Sequence, residues 1–145
     1  MVKKKQPAKK EIGGAGAGIS RSKQAEEALA REILFAKSLF DTAQTIMLVL
    51  DTSGHIVTFN PYMENISGYR SEEIKGKDWF STFLPGDNQA KTRELFLRAV
   101  SDIQTRGNID EIVTKDGRIR TIEWYDRTLK DADGNIAGLL ACGQD

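Results

Sequence analysis

The stretch from Leu48 to Lys77, LVLDTSGHIVTFNPYMENISGYRSEEIKGK, constrains the fold more than any other part of the chain. It reads as strand, tight turn, strand and then two short capped helices. Residues 46–50 are a short apolar run, Asp51-Thr-Ser-Gly54 supplies turn residues, and residues 55–60 return as HIVTFN with Val57 and Phe59 expected on one face. Asn60-Pro61 then starts a helix: asparagine accepts from orphan helical N–H groups, and proline suits the first helical position. Tyr62, Met63 and Ile66 are expected to face inward, and Gly68 to stop the helix. Ser71-Glu72-Glu73 opens a second helix, with its carboxylates near the positive N-terminal end, and Gly76 closes it. A strand pair with helices folded across one face makes a pocket, and no catalytic constellation accompanies it.

Farther along, Trp79, Phe80, Phe83 and Leu84 form an aromatic cluster before Pro85-Gly86. Asp87 is the expected cap of a longer helix running to about Thr105. Phe96, Val100 and Ile103 fall on one stripe of it, with Leu95 and Ala99 alongside, and Gly107 ends it. Residues 108–115 and 118–129 meet across Asp116-Gly117, the strongest hairpin signal in the chain. Asp133-Gly134 turns into residues 135–142, whose IAGLLAC run is apolar enough for a central strand. Five strands with helices grouped between the second and third predict an α+β fold, an antiparallel sheet with short helices on one face.

Upstream, residues 1–19 are Lys-rich and then Gly/Ala-rich, the composition of a flexible basic leader. The glycines at 13, 14, 16 and 18 follow Lys and Glu rather than a buried strand, so they do not read as a phosphate-cradling loop. Residues 20–40 are predicted to be an amphipathic helix capped by Ser20 or Ser22. Ala25, Leu29, Ile33, Ala36 and Phe40 recur on it at spacings of three and four. That stripe suits either packing on the chain's own domain or a dimer interface, and a dimerising helix is the expectation. Residues 41–145 make the folded domain.

Hydrophobic residues at 39% and charged residues at 29% are ordinary for a globular chain. No stretch approaches the roughly 18 apolar residues of a membrane span, and no apolar segment of a secretory signal follows the basic start. Cys142 is the only cysteine, which rules out an internal disulfide and suggests a reducing, cytoplasmic setting. Residues 1–24 carry seven Lys/Arg against one acidic residue, leaving fourteen basic against twenty acidic in the rest. An acidic domain argues against a nucleic-acid surface on its folded part.

The LVLDTSGHIVTFN hairpin, NPYMENISGYRSEEIKGK, FLPGDNQAKTRELF, TKDGRIRTIEW and DADGNIAGLLACGQD together resemble the PAS sensory-domain family, in its order and spacing, over about residues 38–145. ISRSKQAEEALARE resembles the linker helix that leads from one PAS domain into the next, and the stop at Asp145 suggests a module excised from a longer protein. The resemblance implies a PAS-like five-stranded sheet that cradles a small ligand or cofactor, frequent homodimerisation, and an output domain elsewhere in the parent chain. The expected parent is a sensor histidine kinase of a two-component system. The alternatives are a cyclic-dinucleotide protein (a diguanylate cyclase or phosphodiesterase) and a ligand-free interaction module.

Photoactive flavin members of the family form an adduct from a cysteine in a short helix, yet residues 76–83 hold none. Their flavin-reading glutamine on the last strand corresponds to Gly143 here. Haem members ligate iron through a histidine on the helical side, whereas His55 sits in a turn. One His and one Cys cannot make a structural zinc site. Non-covalent flavin stays open, with Trp79, Phe80, Phe83, Phe96 and Trp124 as stacking walls and Gln44, Asn60 or Tyr69 as polar contacts; simple core packing is the other reading of these aromatics. The full set of pocket candidates adds Met47, Val49, Phe59, Met63, Ile66, Val100, Ile112 and Leu140. No catalytic residues are expected: Asp110/Glu111 and Glu72/Glu73 read as solvated charges, and His55 has no partnered nucleophile.

Overall fold

The computed structural model describes residues 14–104 and 106–145; the start of the expected leader, residues 1–13, lies outside them. The chain divides into two compact units, Met1–Ser38 and Leu39–Asp145.

Helix α1 spans Gly14–Thr42 and begins before the expected Ser20 cap. Strong helix formers from Ala25 onward nucleate it, and extension costs little per residue once a helix exists. Leu29, Ile33, Leu34, Phe35 and Leu39 are each more than half exposed on it.

In the second unit β1 (Ile46–Leu50) and β2 (Ile56–Phe59) are followed by α2 (Pro61–Ser67), α3 (Ser71–Ile74), α4 (Trp79–Phe83) and α5 (Gln89–Ala99). A 3-10 turn at Val100–Asp102 leads to β3 (Asn108–Val113), β4 (Ile119–Lys130) and β5 (Ile136–Gln144). The sheet runs β2-β1-β5-β4-β3, antiparallel throughout, with the apolar β5 in the middle. Side chains alternate across a strand, so Ile46, Leu48 and Leu50, Leu139 and Ala141, Ile122 and Trp124, and Ile112 line one buried face. Phe59, Met63, Ile74, Phe80, Phe83 and Phe96 complete the core with them.

Val57 does not share the face of Phe59. Val49 pairs with Thr58 but Leu50 pairs with Ile56, so Val57 is the extra residue of a β-bulge. Ile56 and Phe59 therefore turn inward, and Val57 is left exposed. The first turn of α2 forms as expected: the Asn60 side chain accepts from the Met63 N–H, and Gly68 closes the helix in the left-handed region.

The aromatic cluster at 79–83 is a helix, capped by Asp78, whose carboxylate accepts from the Ser81 N–H at 2.8 Å. Burial works against the Asp78 charge, but the Ser81 N–H and hydroxyl, with the Arg93 guanidinium, outweigh it and hold the carboxyl below its usual 3.8. A carboxyl depressed in the folded state stabilises fully above its unfolded value, and that contribution is lost as pH falls through the folded value. Melting temperature is therefore expected to drop with acidification below about pH 4, and Asp78→Asn, which keeps a capping oxygen, to lessen that slope. An identical pH profile for the variant would show that this pair contributes nothing.

Helix α5 starts at Gln89, after an Asn88 that makes no side-chain cap, and stops at Ala99, well short of the expected end near 105. Thr128 on β4 accounts for the early stop. Its hydroxyl donates to the Val100 carbonyl at 2.8 Å and accepts from the Ile103 N–H at 2.7 Å, while its own N–H donates to the Ile103 carbonyl at 3.0 Å. Backbone groups that would have continued the helix are tied to the sheet instead.

Candidate functional site

Two structures divide the interior between sheet and helices. The first is a solid aromatic column. Phe83 is fully buried at its centre, stacked on Trp79 at 4.6 Å and met edge-on by Tyr69 at 5.2 Å and Phe59 at 6.2 Å. Trp79 in turn meets Trp124 edge-on at 5.8 Å. The Trp124 ring lies over Gly143, where an added Cβ would come within 2.9 Å of it. The position matched to the flavin-reading glutamine is thus already covered by an indole.

The second is a cavity of about 440 Å³. Its floor is the inner sheet face, Leu48, Leu50, Leu139 and Ala141, and its aromatic walls are Trp79, Phe80, Phe96 and Trp124. Leu84, Thr92, Leu95 and Ile103 close the helical side. Polar groups gather where β3 and β4 meet the 3-10 segment: Asp102, Gln104, Asn108, Asp110 and Asp126. The Thr128 bonds hold that segment against β4 and so define this wall. Burial pushes the Asp110 carboxyl above its usual value.

Of the candidates named from sequence, Trp79, Phe80, Phe96 and Trp124 come together on the cavity. Phe59, Met63, Phe83 and Ile112 are buried in the core without lining it, and Ile66, Tyr69 and Val100 pack against that core. Met47, Val49 and Leu140 lie on the opposite face of the sheet, because they alternate with Leu48, Leu50, Leu139 and Ala141. Asn60 is fully buried, but its amide is committed elsewhere: it accepts from the N–H groups of Met47 at 3.0 Å and Met63 at 3.3 Å and donates to the Thr45 carbonyl at 2.8 Å. Gln44 reaches only the Thr42 carbonyl. The acidic mouth escaped the sequence reading. The available signal was Asp126, two residues beyond Trp124 on β4 and so on the same inward face.

Cys142 pairs with Met47 and Tyr125 on the outer face, and burial followed by the Asp126 charge pushes its thiol up, away from the reactive thiolate. His55 lies in the β1–β2 turn beside Asp51, with Nδ1 3.5 Å from Oδ2. Among the described residues no three His, Cys, Asp or Glu side chains converge to hold a metal ion. A second hollow beside α2 and the β3–β4 hairpin presents Lys115, Arg118 and Arg120, each already paired, with Glu73, Asp116 and Asp145.

The PAS fold family matches residues 34–145. A domain of a sensory box sensor histidine kinase/response regulator from Geobacter sulfurreducens is 23% identical, with a TM-score of 0.66 over 81% of this chain and 96% of that one. A PAS domain from Colwellia psychrerythraea is 26% identical, with a TM-score of 0.64 over 78% and 96%. The PAS domain of the Cronobacter turicensis quorum-sensing receptor RpfR, in complex with C12:0, is 20% identical, with a TM-score of 0.61 over 72% and 96%. No curated protein matches the chain in sequence. The helices inserted between the second and third strands, the last strand placed at the centre of the sheet and a family match reaching the final residue agree, and the chain belongs to the PAS fold family.

Proposed function

We propose that this chain is the sensory module of a larger cytoplasmic signal-transduction protein, with a sensor histidine kinase as the first choice of parent, and that it binds a small organic molecule in the cavity. The observation that carries this reading is the cavity itself. About 440 Å³ of aromatic-walled space with a few polar groups at one side is the size and chemistry of a small-molecule site. A ligand seated there touches α4, α5, the 3-10 segment and the β1/β5 floor at once. It signals by favouring the domain conformation in which those elements close on it. Covalent flavin chemistry is not part of this reading, since Cys142 faces away from the cavity.

Two measurements test it. The absorption spectrum of the purified chain reveals a non-covalent flavin if one is held. A thermal-shift screen of metabolites finds a colourless ligand, which at a hundredfold excess over its Kd adds about 2.7 kcal/mol of stability. Ala141→Leu, which puts bulk on the cavity floor, is expected to abolish that gain while the folded spectrum persists. An unchanged gain in this variant would overturn the site.

Helix α1 favours a second element, homodimerisation. Leu29 and Ile33, one turn apart on the predicted stripe and each more than half exposed, leave unburied surface that a second copy would cover. Leu29→Glu with Ile33→Glu is expected to convert a dimer to a monomer in sedimentation velocity. A wild-type chain that sediments as a monomer at micromolar concentration would remove this part of the reading.

A further inference from the structure

The charge lining the cavity is of one sign. Asp102, Asp110 and Asp126 line it, and among the described residues that line it none is a lysine, arginine or histidine. Arg93, which lies over the Phe80 ring at 5.6 Å, is engaged by Asp78. The aromatic walls add to the same field. Aromatic ring faces carry negative quadrupole density, which attracts cations, and Trp79, Phe96 and Trp124 line the cavity. Residues 25–145, the cavity aspartates included, hold twenty acidic against fourteen basic side chains, a net negative balance for the domain.

A bare metal ion does not suit this space. The three carboxylates do not converge with one another or with other ligating groups. The floor of Leu48, Leu50, Leu139 and Ala141 offers hydrocarbon instead. An anionic ligand would meet carboxylates, with no lysine, arginine or histidine among the described lining residues to receive it.

We propose that the cavity selects an organic cation: an amine, guanidine or quaternary ammonium carried on an apolar or aromatic body. The body lies on the leucine floor between the indoles, and the charged head points to the acidic mouth. This assignment rests on the small-molecule sensor reading and gives it a ligand class.

The test uses the whole chain and three sets of small probes that share the same bodies (phenyl, indolyl and cyclohexyl) and differ only in the head: amine, alcohol or carboxylate. Tryptamine, tryptophol and indole-3-acetate are one such trio. Binding is read by the shifts of the Trp79 and Trp124 indole N–H signals in titrations to about 10 mM, a range that captures fragment-strength affinities. The amine of each trio is expected to bind at least about tenfold more tightly than its carboxylate, with the alcohol between. Asp110→Asn at the exposed mouth and Asp126→Asn on the strand are each expected to shrink that ratio by about threefold or more without altering the folded spectrum. Should Asp126→Asn fail to fold, Asp110→Asn alone carries the test. Equal or tighter binding of the carboxylates, or a ratio that survives Asp110→Asn unchanged, would overturn the cation assignment and leave the sensor reading standing. If no probe of any charge moves the indole signals, both readings fail.

Discussion

Gly138→Ala is expected to destabilise the sensory domain by about 3 kcal/mol or more, which for a domain of this size lowers the melting temperature by roughly 12 °C or more. Gly138 has φ +153°, and an added Cβ would sit 2.1 Å from the Leu50 carbonyl oxygen, 3.2 Å from its carbon and 3.4 Å from the Asp51 Cα. Every atom in the way is backbone of Leu50 or Asp51, so no side chain can swing aside. The close approach arises where β5 bulges: Leu129 pairs with Gly138, but Lys130 pairs with Ile136. Glycine is the residue that lets two backbones approach at such a bulge. Gly117→Ala is the matched control. It also has positive φ, at +84°, but nothing lies within 4 Å of its added Cβ. Its expected cost is only the left-handed conformation, about 1 kcal/mol. Calorimetry of the pair checks this, and equal melting temperatures for the two variants would refute the steric account.

Phe83→Ala should cost about 3–5 kcal/mol, the usual range for emptying a fully buried phenylalanine site. Phe83 holds Trp79 by stacking and receives the edges of Tyr69 and Phe59, so its removal opens a hole at the centre of the column and loosens three rings together. Phe83→Leu refills most of that volume and is expected to recover more than half of the loss. Phe83 does not line the cavity. A cavity ligand should therefore still raise the melting temperature of Phe83→Leu by its wild-type increment. Urea unfolding of the three proteins measures the first effect, and thermal unfolding with and without ligand measures the second.

What could be read from the residues and what could not follow from how local each signal is. Asn60-Pro61, Gly68, Asp116-Gly117 and Asp133-Gly134 act through backbone chemistry within a few residues, and each element boundary they imply is present. The central place of β5 was legible because an apolar strand must be covered on both faces and flanked on both edges. The orientation of β1 was not. In IMLVL every position is apolar, so alternation gives no clue to which side faces the helices, and Met47 and Val49 were assigned to the cavity with Leu48 and Leu50 absent from it. Val57 was misplaced by a bulge that only the pairing partner reveals. Helix α4 is five residues long, too short for any helical period to show. The end of α5 depends on Thr128, far away in sequence and adjacent only in the fold. The acidic mouth was hidden for a related reason: an aspartate in a strand reads as solvent-facing until it is known that Trp124, two residues earlier on β4, faces inward.

The strand order has a kinetic consequence. The first and last strands of the domain, β1 and β5, are neighbours in the middle of the sheet, paired from Ile46 with Gly143 to Leu50 with Leu139. Joining them closes nearly the whole length of the domain into one loop, the entropically slowest contact available to this chain. The usual fraying of terminal segments is therefore suppressed here, since loosening either end breaks the sheet at its centre. Local opening is left to α5, whose main contacts are with its sequence neighbours α4 and the 3-10 segment. In amide hydrogen exchange β1 and β5 should open only with global unfolding, and α5 well before it. On the proposed reading, a helix that borders the cavity is then the element that can open on its own, while the strands closest to the ends of the domain hold still.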